Sequence, residues 1–203
     1  MHPHALQPLV FASAFVSGFV LMVLEMLGGR ILAPWFGADV YVWGSIIAVF
    51  MLALSLGYLL GGRWSLQGVS LLRFGLIFLA AGALMLPVVA FAVPVMEAIF
   101  DLTDDPRYGS LMAALALFLA PSVAMGMVSP YSLRLLIRSR ETSGASAGVL
   151  YFVSTMGSAL GTLATSFYFV ALAEVNQILG VAIAVMGANG LLLIALHRRM
   201  PTG

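Results

Sequence analysis

One acidic side chain stands inside an apolar run: in "VSGFVLMVLEMLGGRILAPWF" the residue is Glu25. An acid within a membrane span costs roughly 2.5–3.5 kcal/mol on insertion scales, and such groups mark functional positions by default. Three chemistries suit it. It can hold its proton and act as a neutral hydrogen-bonding group, pair with a cationic side chain, or meet a cation or proton from outside. The neighbouring cation is Arg30. Five residues turn a helix by about 140°, so that pair requires a break at Gly28-Gly29. Gly18, Leu21, Glu25 and Gly28 share one face by three- and four-residue steps. A carboxylate with glycines above and below it is expected to face the bundle or a wet cavity. The three readings stay open.

Other polar groups are few. The loop "APWFGADVYVW" sets Trp35, Phe36, Tyr41 and Trp43 beside Asp39. Aromatic residues there read as an interfacial belt, and the same rings hold an amine through cation–π contact. In "YFVSTMGSALGTLATSF", Gly157 and Gly161 are four apart, and Ser154, Ser158, Thr162 and Ser166 form a second row at that spacing. Gly57 and Gly61 repeat the spacing earlier in the chain. Small residues at four-residue intervals mark helix contact faces in lipid. The hydroxyl row also reads as a polar lining along a solute path. Asn189 is expected to hydrogen-bond a neighbouring helix.

Enzyme chemistry finds no support. No His/Cys cluster, carboxylate pair or nucleophile constellation is present. His2, His4 and His197 lie at the chain's ends, and cysteine is absent, so disulfides and thiol catalysis are excluded. No cofactor, metal or catalytic residue is expected. A net charge of +1 implies no nucleic-acid partner.

The elements that must position these groups are membrane spans. Hydrophobic residues make up 62% of the 203-residue chain and charged residues only 8%, against about 25% charged in soluble domains. Mean hydropathy is +1.09. A span needs about 20 mostly apolar residues, and six stretches qualify: 8–32, 40–62, 71–99, 110–137, 147–173 and 177–197. They form one transmembrane domain. Pro87 and Pro94 in the third, and Pro121 and Pro130 in the fourth, predict bent helices. The polar stretches "DLTDDPRYGS" and "RSRETSGASAG" read as loops.

Charge sets an expected orientation. All nine basic residues are Arg. Arg63, Arg73, Arg134, Arg138, Arg140, Arg198 and Arg199 fall on one side, and only Arg30 and Arg107 on the other. That second side collects Asp39, Glu97, Asp101, Asp104, Asp105 and Glu174. Short loops obey the positive-inside rule best. Both termini are therefore expected in the cytoplasm, in a bacterial inner membrane.

Two blocks carry a family resemblance. "LEMLGGRILAPWFGADVYVWGSIIAVFMLALSLGYLLGGR" and "GMVSPYSLRLLIRSRETSGASAGVLYFVSTMGSALGTLATSFYF" resemble the membrane region of fused proteins. Those proteins join a major-facilitator-like membrane portion to a spermidine-synthase-like domain. Glu25, Arg30, Trp43, Gly57, Gly61 and Arg63, with Pro130, Arg134, Ser154, Thr155, Gly157 and Ser158, match the recurrent pattern. The resemblance implies half of a facilitator, six helices whose counterpart bundle lies across a midplane site. It implies transport or binding of a cationic small molecule such as a polyamine, with Glu25, Arg30, Trp43, Ser154 and Ser158 as substrate-binding candidates. The synthase domain has no counterpart here. "GSALGT" lies mid-span and "GASAG" reads as a loop with no strand before it, so neither is a nucleotide-binding turn.

Two functions follow as expectations. One is a small membrane transport or binding component, working as a homo-oligomer or with other membrane subunits. The other is a non-catalytic scaffold or accessory subunit that anchors a larger complex or a separate soluble synthase-like chain.

Overall fold

A computed structural model describes residues 6–137 and 143–199. Helices account for nearly all of it: α1 (Leu6–Phe36), α2 (Val40–Ser65), α3 (Leu71–Leu102), α4 (Pro106–Gly126), α5 (Val128–Leu136), α6 (Ser143–Ala164), α7 (Val170–Leu172) and α8 (Val175–Arg199). A π-helical turn, Thr165–Phe169, joins α6 to α7. Six units are long and apolar enough to cross a bilayer, with α4–α5 forming the fourth and α6–α7 the fifth. The chain reads as an all-helical integral membrane protein.

Several boundaries differ from the sequence expectation. α1 runs through Pro34 to Phe36 and α2 restarts at Val40, so the aromatic loop shrinks to Gly37, Ala38 and Asp39. Gly37 makes that turn with φ +82°, a conformation that carries no Cβ penalty only in glycine. Asp101 and Leu102 belong to α3, and α4 starts at Pro106. Proline fits a first helical turn, whose N–H groups lack intrahelical acceptors anyway, and the Asp105 carboxylate accepts from the Arg107 N–H at 2.9 Å. α3 holds Pro87 and Pro94 without a break. The fourth span divides at Met127, between its two prolines. Gly144 to Gly148, read as loop, lie in α6. His2, His4, Arg138 and Arg140 fall outside the described residues.

Three pairings dominate the bundle: α1 with α6, α2 with α4, and α3 with α8. Each is a seam of glycines, because lipid gives helices no hydrophobic reason to meet and close backbone approach must supply the attraction. A methyl group built on Gly157 or Gly161 would overlap the Phe15 or Phe19 carbonyl of α1. One on Gly61 would lie 2.6 Å from the Met127 carbonyl, and one on Gly57 would lie 2.7 Å from the Gly126 Cα. One on Gly75 would lie 2.6 Å from the Gly190 carbonyl, and one on Gly190 2.8 Å from the Gly75 carbonyl.

These pairings have a symmetry. Exchanging span one with four, two with five, and three with six returns the same three pairs. Spans one and four cross in opposite directions, so this pairing pattern is the one that two inverted three-helix halves would give. Leu24 and Leu27 of α1, Phe50 of α2, Phe78 of α3 and Phe118 of α4 fill the centre with no exposed surface beyond 1%.

The end of the bundle that holds the 66–70 turn is tied by an aromatic stack. Tyr131 of α5 is fully buried and lies parallel to Phe74, with centroids 5.8 Å apart. Its hydroxyl accepts from the Ser70 N–H at 3.1 Å. Arg73 donates to the Gln67 and Gly68 carbonyls, each at 2.9 Å, and Ser70 caps α3 by accepting from the Arg73 N–H.

Candidate functional site

Glu25 is half-buried in α1. Among the described residues it makes no hydrogen bond and no ion pair. The contacts of its helical neighbours place it. Gly18, about 20° away around the axis, packs on the backbone and side-chain oxygens of Ser154 and Ser158 in span five. Gly29, about 40° away on the same side, is covered by the Trp43 ring of span two. Gly28 meets Phe118 and Ile46. Glu25 therefore shares a face of α1 with both contacts, about 10 Å along the axis from the span-five contact at Gly18 and about 6 Å from the Trp43 contact at Gly29. The glycines that sequence reasoning placed on its face belong to two different seams.

Arg30 goes elsewhere. Its Nη1 donates to the Val170 carbonyl at 3.0 Å, and the side chain is exposed. α1 continues unbroken through Gly28-Gly29, so the two charges stay on divergent faces and the structural pair with Glu25 does not form. A guanidinium beside the last carbonyls of α7 is placed where helix ends carry partial negative charge.

The hydroxyl row is largely consumed in packing. The single proton of Ser158 Oγ is shared between the Ser154 carbonyl at 3.2 Å and the Gly18 carbonyl of α1 at 3.3 Å. Thr162 donates back to the Ser158 carbonyl at 3.0 Å. Of these only the Ser158–Gly18 contact joins α6 to α1, and an interhelical hydrogen bond contributes on average about 0.6 kcal/mol. Asn189 accepts from Ser13 of α1 at 3.3 Å, and its amide nitrogen is buried without a partner.

Span five is the least covered of the six. Tyr151, Phe152, Phe167 and Tyr168 are each more than half exposed, as is Met51 of span two. Tyr58 of span two and Tyr151 of span five come within electrostatic reach of one another.

Sequence reasoning missed the π turn at 165–169. It also missed the Gly75–Gly190 crossing, for which the only cue was glycine within apolar runs. The π turn leaves the Thr165 hydroxyl buried and unpaired, and turns of this kind occur often at functional sites. No group of His, Cys, Asp and Glu able to hold a metal exists among the described residues. Glu25 is a carboxylate without a partner among the described residues, one turn from the Gly29–Trp43 contact. The chain matches no family model, no curated protein and no solved structure.

Proposed function

We propose that this chain is a membrane transport or binding component for a cationic small molecule, of which a polyamine is the class that the resemblance implies. The observation that carries the reading is the carboxylate of Glu25, half-buried and without a partner among the described residues, on the face of α1 between the span-five contact at Gly18 and the span-two contact at Gly29. An ammonium group entering from that face supplies the missing counter-charge. The Trp43 ring one turn away adds cation–π attraction, worth about 0.5–2 kcal/mol as water is removed. Ser154 and Ser158 shape the wall mainly through their backbone. Arg30, on another face, leaves the negative field of Glu25 intact.

The inverted pairing of the six helices supports the comparison with one bundle of a facilitator, in which three-helix repeats are related in this way. A homodimer then brings two Glu25 faces together around one path. The distribution of Arg supports cytoplasmic termini in a bacterial inner membrane.

Reconstituted vesicles and labelled spermidine test the reading. Wild-type protein is expected to take up label, and Glu25→Gln to reduce uptake to the level of protein-free vesicles. Equal uptake by both proteins removes Glu25 from the mechanism.

The bare face of span five favours a second reading, a scaffold that docks another subunit or a soluble synthase-like chain. Purification in mild detergent separates the two. A lone homodimer supports transport, and a foreign chain at fixed stoichiometry supports the scaffold.

A further inference from the structure

A cleft of about 280 Å³ opens between α1, the π turn and α8. Phe19 and Val23 form one wall, Phe169 and Leu172 a second, and Ile178 and Val181 a third. Gln177 is the one polar residue at its rim, and Val185 closes the far end. From Gln177 to Val185 the cleft follows α8 for about 12 Å at 1.5 Å per residue. The opening is lateral, toward the lipid-facing side of the bundle, because Val181 is 65% and Leu172 80% exposed.

A cation sits over one end of this apolar slot. Phe19, Val23 and Arg30 fall within about 40° of one another around α1, and Arg30 lies about 10 Å beyond Val23 along the axis. The bond from Arg30 Nη1 holds the guanidinium at the carbonyl of Val170, the residue that follows Phe169 of the slot wall in the chain. That bond uses one of five N–H donors. Among the described residues Arg30 has no acidic partner. The Gln177 amide is oriented by accepting from the Glu174 N–H at 3.1 Å, which leaves its NH2 group as a further donor at the rim.

We propose that this cleft holds a phospholipid, with one acyl chain among the side chains of α1, α8 and the π turn and the phosphate on the free donors of Arg30. Each half of the arrangement matches one half of that molecule. An apolar slot open to the bilayer admits a hydrocarbon chain without any cost of exposing it to water. A guanidinium at the membrane boundary binds phosphate through two parallel N–H bonds. The helical geometry sets the two about one headgroup-to-chain distance apart. The site is separate from the Glu25 face and stands or falls independently of the transport reading. It also assigns the π turn a role, since widening the helix there turns Phe169 into the cleft wall and against Phe19, with ring centroids 6.2 Å apart.

The test is native mass spectrometry of detergent-purified protein titrated with palmitoyl-oleoyl phosphatidylglycerol, with millimolar inorganic phosphate in a parallel arm. Arg30→Gln removes the anion contact. Val181→Trp fills the slot at a position exposed enough to keep the fold, which gel filtration checks. Arg107→Gln, an exposed cation at the same end of the bundle, is the control. Both site variants are expected to raise the half-saturating lipid concentration of the tightest adduct at least tenfold. Arg107→Gln leaves it within twofold, and inorganic phosphate does not displace the adduct. The proposal is overturned if Arg30→Gln and Arg107→Gln behave alike, if Val181→Trp retains the adduct at wild-type concentration, or if phosphate alone displaces it.

Discussion

Gly61 and Gly62 are adjacent residues of α2 with opposite surroundings, and the difference predicts what one methyl group does to the bundle. A Cβ on Gly61 meets the Met127 carbonyl oxygen at 2.6 Å and the Met127 Cα at 2.7 Å. A Cβ on Gly62 meets nothing within 4 Å. Both positions are helical, so Gly→Ala gains the same backbone contribution, about 0.5–1 kcal/mol. For Gly61→Ala the obstacle is backbone, which cannot rotate away. Reaching the 3.4 Å of ordinary contact requires α2 and the α4–α5 junction to part by about 0.8 Å. A gap of 0.5–1 Å forfeits a quarter to a half of each dispersion contact along the seam, and overpacking of this kind costs about 1–3 kcal/mol. Gly61→Ala is therefore expected to be less stable than Gly62→Ala by about 1–3 kcal/mol, with Gly62→Ala at or above wild type. Unfolding in mixed detergent micelles, followed by tryptophan fluorescence, measures the difference. Trp64 is a local reporter, since its ring packs 6.2 Å from Tyr131. Equal stability of the two variants would mean that α2 does not approach the α4–α5 junction as described, and the glycine-seam account of the fold would fall with it.

Two further outcomes follow from other contacts. Tyr131→Phe leaves the Ser70 N–H without its acceptor. The bond is only part-buried, so its loss costs about 0.5–1.5 kcal/mol, and the 66–70 turn should exchange its amide hydrogens faster while the α1–α6 seam is unaffected; unchanged exchange at Ser70 contradicts the bond. A cysteine in place of Asp104 and another in place of Gln67 lie at opposite ends of the bundle. A membrane-impermeant thiol reagent applied to intact cells should label the first at once and the second only after permeabilisation. The reverse pattern inverts the proposed orientation.

Much of the architecture was legible in the apolar runs themselves. The six spans follow from length and hydropathy because a bilayer demands about 20 residues whose backbone is satisfied internally. Gly57, Gly61, Gly157 and Gly161 were legible as contact residues because glycine in an apolar helix has few other uses. Helix ends were less so. The first apolar run was expected to end at Leu32, yet α1 continues through Pro34 to Phe36. There the chain ends the helix by the Gly37 conformation rather than at proline. "GASAG" looked like a loop by composition and is helical because small residues are as compatible with a packed membrane helix as with a turn.

The sequence by itself determined the solvent of this protein, the number of its spans, the side that gathers the arginines, and the isolation of Glu25 as the one acid deep within a span. Those are properties of composition and of period along the chain, and they need no knowledge of neighbours. Tertiary structure alone decided which helix meets which. Phe15 and Gly157 are far apart in sequence, and nothing in either run names the other as partner. It also decided that Arg30 turns to Val170 and not to Glu25, since about 140° of helical rotation separates two residues that are near in sequence. The carboxylate is left unpaired for the same reason: a charge's partner is fixed by direction in space, which periodicity fixes only relative to its own helix.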